Sequence, residues 1–238
     1  MRSKYAMPVD PKILQQDFES YKTVKNISRI VKLMKSLDEH TFTQKVEEAE
    51  KINIFVGGLW LHINTGFGIN LKDREKLLPI FQEYHRLSKS FSTWYDYLYR
   101  GVYLPNAYGD ILEETFGNIE EGYVDLQNHK EIEKIFEGLA YGLRSWTDEL
   151  SLAKFFSRQG KERIIFVLDE DRGNVVLEGN ALIQLIQEIK YGVGERRYPF
   201  PLDRSEYIVY LKNPKITNVY KEIDGSQTYW FVNVIDNL

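Results

Sequence analysis

The chain has 238 residues, room for one or two domains, and its 43% hydrophobic and 14% aromatic content supports a packed core and excludes a disordered chain. The absence of cysteine excludes disulfides, thiol catalysis and Cys-ligated zinc. A net charge of −4, with acids and bases interspersed, excludes the broadly basic footprint of a general nucleic-acid binder but leaves room for a local basic patch.

No apolar run approaches the ~20 residues of a membrane helix, and Met1-Arg2-Ser3-Lys4-Tyr5 leads into polar sequence, so neither a membrane span nor a secretory signal is expected. Asp10-Pro11 reads as a helix start, with Asp as cap and Pro in the first turn. Ile13, Phe18, Tyr21, Val24, Ile27, Ile30, Val31 and Met34 then recur at three- and four-residue spacing, predicting one or two amphipathic helices. A second helical stretch runs from Phe42 to about Leu61, with a break at Gly57-Gly58 and a loop at Asn64-Thr65-Gly66-Phe67-Gly68. A third runs from Leu71 to Leu87 or beyond.

The texture then changes. Tyr97 to Leu104 alternates and stops at Pro105-Asn106, as a strand does. Ala107 to Gln127 reads as irregular and acidic, and Asn128 to Tyr141 as a short helix with a turn at Gly142. Asp148 to Ser157 is a helix expected to bury Leu150, Leu152, Ala153, Phe155 and Phe156. Arg163 to Leu168 is a buried strand, with a turn over Asp169 to Gly173 and Val175 to Leu177 extending a hairpin. Asn180 to Tyr191 is a helix and Gly192 to Pro201 a loop. Glu206 to Leu211, Ile216 to Tyr220 and Tyr229 to Ile235 are strands. Helices come first and strands later, so the class is α+β.

Three segments carry candidate chemistry. Leu98-Tyr99-Arg100-Gly101-Val102 sets an Arg-Gly pair in a strand. Ser145-Trp146-Thr147 precedes the helix containing Ala153-Lys154-Phe155-Phe156. Arg204-Ser205-Glu206-Tyr207-Ile208-Val209 sets an acid at the head of an apolar strand. Each segment alone also fits a plainer role. Arg100 suits a surface ion pair, Thr147 or Asp148 a helix cap, the Phe pair core packing and Glu206 a solvated strand edge.

Together, in this order and spacing, they resemble the marks of an ADP-ribosyltransferase of the Arg-Ser-Glu class, of bacterial toxin or phage type. The resemblance covers roughly Tyr97 to Leu238. It implies a split β-sandwich core over 97–238, preceded by a helical region over 1–96 packed on it. It also implies that NAD is the substrate, that no metal takes part, and that ADP-ribose passes to a protein or nucleic-acid acceptor. Arg100 would grip the pyrophosphate, as a guanidinium fork does better than Lys, and Gly101 would let the dinucleotide approach the backbone. Ser145 would orient the Glu206 carboxylate, Thr147 would point the same way, and Phe155 or Phe156 would lie on the nicotinamide. Glu206 would bind the ribose 2′-hydroxyl as an oxocarbenium-like state develops. One acid suffices, because nicotinamide leaves as a neutral base.

Many members carry Glu or Gln two residues before the catalytic Glu, where this chain has Arg204. Period-two alternation sets Arg204 on the face of Glu206, where a cation repels a guanidinium acceptor; a bulge would bring Asp203 there instead. Tyr198 and Phe200 occupy the loop that recognises the acceptor in this family, and Arg196 and Arg197 suit an acidic or phosphorylated target, although the loop also fits a plain structural turn. The resemblance further implies work in the cytoplasm of a bacterial or host cell, by a phage-encoded or injected enzyme. An NAD glycohydrolase on the same fold and a non-catalytic α+β binding protein are the alternatives. His40, His62, His85 and His129 show no metal spacing, and Gly66-Phe67-Gly68 follows no strand, so neither a metal site nor a dinucleotide-binding Gly loop is expected there.

Overall fold

A computed structural model describes residues 7–8, 24–44, 75–104, 106–158, 162–169, 175–188, 197–198 and 205–237. In chain order the elements begin with β1 (Met7–Pro8), α1 (Val24–Lys35), α2 (Glu39–Gln44), α3 (Leu78–Leu87) and a 3-10 turn at Lys89–Phe91. There follow β2 (Tyr97–Tyr103), α4 (Asn106–Phe116), β3 (Gly122–Tyr123), α5 (Lys130–Ala140), β4 (Gly142–Thr147) and α6 (Leu150–Phe156). The chain continues through β5 (Glu162–Asp169), β6 (Val175–Glu178), α7 (Gly179–Glu188), β7 (Arg197–Tyr198), β8 (Glu206–Leu211), β9 (Pro214–Asp224) and β10 (Gln227–Asp236). The fold is α+β, as the order of helices and strands predicts. It divides into two compact units, one of Met1–Thr93 with Val176–Glu206, the other of Trp94–Val175 with Tyr207–Leu238.

In the first unit, Ile27, Ile30 and Met34 form the buried stripe of α1, and Ile80, Phe81, Tyr84 and Leu87 that of α3. Pro79 sits in the first turn of α3, where a missing N–H costs no helical hydrogen bond. Arg86 reaches from α3 to the end of α1, its Nη2 donating to the Met34 and Leu37 carbonyls at 2.9 and 3.0 Å. β1 and β7 pair in parallel, Pro8 opposite Tyr198.

In the second unit the hydrogen-bonded strand order is β3-β9-β10-β5-β2-β4-β8. β9 and β10 form an antiparallel hairpin turned at Gly225, whose φ of 63° suits glycine. β10 runs parallel to β5, and β5 antiparallel to β2 from Tyr97↔Asp169 to Tyr103↔Arg163. The ladder between β2 and β4 is a single antiparallel pair, Tyr99 opposite Thr147, so the sheet parts at that seam. One face carries the main core, built from Leu98, Trp146, Phe166, Tyr207, Val209 and Trp230 with Phe116 of α4 and Phe136 of α5. The other face carries a smaller cluster of Ile165 and Tyr229 under Ala153 of α6.

Three expectations are corrected. Ala107 to Gln127 is not irregular: it holds most of α4 and all of β3, because Leu112 and Phe116, four residues apart, give α4 a buried face. Phe155 and Phe156 are 49% and 57% exposed, because α6 turns Ala153 to the sheet and carries the pair outward. β6 does not form a hairpin with β5, whose neighbours are β10 and β2. The expected helix start at Asp10-Pro11 lies outside the described residues, as do the stretch from Lys45 to Leu61, the loop Asn64 to Gly68 and the turn after Asp169. The loop from Gly192 to Pro201 lies outside them too, apart from Arg197 and Tyr198.

Candidate active site

β2 delivers Arg100 to the seam beside β4. Leu98 and Val102, two residues either side, pack with the main core, and Arg100 shares their parity. Its Nη1 donates to the Ser145 carbonyl at 2.9 Å. The guanidinium thereby reaches across strands whose ladder is one pair long. A charged donor on a carbonyl typically contributes about 1.5–3 kcal/mol, more than a neutral pair.

Gly101 lies against the backbone of α6. A Cβ there would stand 1.9 Å from the Ala153 carbonyl oxygen, so the space belongs to the backbone of α6. That contact fixes α6 on β2, one residue from Arg100. At the far end of α6, Phe155 and Phe156 meet edge to face at 5.6 Å, and the Arg158 guanidinium lies 3.6 Å over the Phe155 ring. Lys154 pairs with Glu222 at 3.0 Å and sits over the Tyr229 ring at 4.4 Å.

β4 presents Ser145 and Thr147 on one face, with Trp146 between them buried in the core. Thr147 Oγ1 accepts the Glu149 N–H at 3.1 Å, which shapes the turn into α6. Glu206 is half-buried at the head of β8, the strand beside β4. The next residue, Tyr207, is buried, edge to face with Tyr95 at 5.1 Å, and its hydroxyl donates to Asp148 Oδ2 at 3.0 Å. Burial, with Tyr97 and Asp96 nearby, raises the Tyr99 phenol above its usual range, so it stays neutral at physiological pH.

Arg100 and Ser145 are thus joined directly, and Thr147 closes the same strand. Phe155 is an exposed aromatic group beside Arg158. Tyr198 lies in β7 of the first unit, while Phe200, Asp203 and Arg204 lie outside the described residues. Sequence reasoning missed the Tyr207–Asp148 bond and the Arg158–Phe155 stack. Arg158 follows Phe155 at i+3, a helical neighbour spacing that offers a signal; Asp148 and Tyr207 offer none, being 59 residues apart. His129 meets the Phe116 ring at 4.8 Å, a packing contact. Among the described residues no group of His, Asp and Glu is gathered to hold a metal, and no helix is long and apolar enough to cross a membrane.

No protein-family model matches the chain, and neither does any curated protein. Among solved structures it is similar to the Vis toxin, an ADP-ribosyltransferase from Vibrio splendidus, at 13% identity and a TM-score of 0.38, over 97% of this chain and 88% of that one. It is similar to Plx2a, an ADP-ribosyltransferase toxin from Paenibacillus larvae, at 13% identity and a TM-score of 0.32, over 97% and 98% of the two chains. HopU1, an ADP-ribosyltransferase of Pseudomonas syringae pv. tomato DC3000, gives 12% identity and a TM-score of 0.32 over 75% of this chain and 66% of its own. At such identities and scores the likeness extends neither to substrate nor to site residues.

Proposed function

We propose that the chain is an NAD-dependent mono-ADP-ribosyltransferase that uses Arg100, Ser145 and Glu206. The observation that carries this reading is the hydrogen bond from Arg100 to Ser145, which joins two of the three marks across 45 residues of sequence. Strand alternation groups Glu206 with Ser145 and Thr147. Tyr207 and Trp146 enter the same core, so Glu206 faces the opposite way from Tyr207, as Ser145 and Thr147 face the opposite way from Trp146.

The chemistry follows from these groups. A guanidinium carries five N–H donors, so Arg100 can hold Ser145 and pyrophosphate oxygens together. Phe155 supplies a ring face for nicotinamide, and Arg158 on that ring adds positive charge near the phosphates. The bond from ribose C1′ to the nicotinamide nitrogen breaks with its electron pair leaving on nicotinamide. Glu206 accepts a hydrogen bond from the 2′-hydroxyl and stabilises the positive charge that develops on the ribose. The acceptor then bonds to C1′ and loses its proton. That acceptor is a macromolecule, protein or nucleic acid, inside a bacterial or host cell. Arg204, two residues before Glu206 in the sequence, brings a cation that disfavours an arginine side chain in that role.

Incubation with labelled NAD and cell lysate tests the reading. Nicotinamide release and labelled macromolecule are expected from the wild type, with an arginine peptide taking up least. Glu206→Gln is expected to lower the rate at least about 10²-fold while sparing NAD binding. Full NAD cleavage by Glu206→Gln would falsify the assignment. Label found only in free ADP-ribose would make the protein a glycohydrolase.

A further inference from the structure

We infer that Tyr207 and Asp148 are positioning residues for Glu206, setting the register of β8 against the turn after β4; the inference rests on the reading of Glu206 above. Tyr207 is the residue next to Glu206 in β8. It is 2% exposed, and its ring is fixed on one side by Tyr95 at 5.1 Å. Its hydroxyl donates to Asp148 Oδ2 at 3.0 Å. Asp148 directly follows Thr147, whose Oγ1 holds the Glu149 N–H at 3.1 Å, and α6 starts immediately afterwards. α6 in turn is seated on Gly101, next to Arg100. A chain of contacts therefore leads from the neighbour of Glu206 to the neighbour of Arg100.

Two physical points make this a registering device and not ordinary packing. A phenylalanine fills the same apolar space as the Tyr207 ring, so the hydroxyl adds direction and not burial. β8 pairs with β4, and a slip of one residue in a strand turns every side chain to the other face. A side-chain tie from β8 to the residue after β4 opposes a slip between those two strands, and Glu206 is the group it would misdirect.

The test is nicotinamide release by the full chain carrying Tyr207→Phe, Asp148→Ala, both together, or Asp148→Asn. Tyr207→Phe and Asp148→Ala are each expected to lower kcat about 10- to 100-fold, with KM for NAD within about 2-fold, as misplacement of a catalytic group does. The double variant should lose no more than either single one. Asp148→Asn keeps an acceptor oxygen for the phenol and should recover most of the rate that Asp148→Ala loses. Wild-type kcat in Tyr207→Phe, beside an inactive Glu206→Gln, overturns this inference alone. Equal losses in Asp148→Asn and Asp148→Ala also overturn it, because charge or folding, not the hydrogen bond, would then explain them. Activity that survives in Glu206→Gln removes the reading beneath it and the inference with it.

Discussion

Gly101 sets how closely α6 can lie against β2. An added methyl group at 1.9 Å from the Ala153 carbonyl and 3.0 Å from the Ser157 nitrogen meets backbone, which cannot rotate away. Gly101→Ala is therefore expected to destabilise the chain by at least about 1–3 kcal/mol, the usual cost of overpacking. Urea unfolding of the variant measures it, and an unchanged midpoint would refute the contact. NAD cleavage should fall as well, because α6 carries Phe155 and borders Arg100. The glycine was legible as part of Tyr99-Arg100-Gly101, but its reason was not. The atom that demands it belongs to Ala153, 52 residues further on, and no local pattern reports a backbone approach. The Arg100–Ser145 bond was hidden for a similar reason. Sequence shows two polar residues; it does not show that a side chain of one meets the main chain of the other.

Among the elements, α4 shows how a helix can depend on a distant cation. Its residues include Gly109 and three acids, Asp110, Glu113 and Glu114, which weaken any reading by composition. Its C-terminal end is held from outside: Lys221 of β9, 5% exposed, donates its Nζ to the Phe116 carbonyl at 3.1 Å and to Ile119 at 2.5 Å. The same ammonium lies 5.4 Å from the Trp230 ring, whose Nε1 donates to buried Glu162. A cation at a helix C-terminus satisfies orphan carbonyls and opposes the negative end of the helix dipole. Lys221→Met keeps the stem and removes the donor, leaving two carbonyls without it. We expect a loss of about 1–3 kcal/mol, with faster amide exchange in the last turn of α4. Exchange that quickens nowhere near Phe116 would contradict this account. Long strands such as β5 and β10 were readable because their buried runs are local. α4 was not, because its stabilising partner lies 105 residues away.

The path of the chain through the whole molecule bears on where Glu206 stands. The chain enters the second unit at Trp94, leaves it after Val175 and re-enters at Tyr207. Glu206, the first residue of β8, is thus the last residue before re-entry, and Tyr207, which bonds to Asp148, is the first after it. Glu206 was legible as an acid at the head of a strand, whereas Arg100 and Ser145 lie inside β2 and β4. The intervening excursion was not legible, since nothing in 176–206 announces that it belongs with the N-terminal helices. Binding and catalysis can be separated at this scale by linkage. A ligand that binds only the folded chain, at about 100 times its Kd, stabilises by about 2.7 kcal/mol. If Arg100 grips the pyrophosphate, NAD should raise the melting temperature of the wild type by several degrees, and Arg100→Ala should abolish the rise. Glu206→Gln should keep the rise while losing turnover, because its carboxylate acts on charge that appears only as the nicotinamide bond breaks. A rise that persists in Arg100→Ala would move the phosphate grip elsewhere, with Arg158 on the Phe155 ring as the next cation to replace. A rise lost in Glu206→Gln would mean that Glu206 also binds the ground state, which adds a role in affinity to its role in rate.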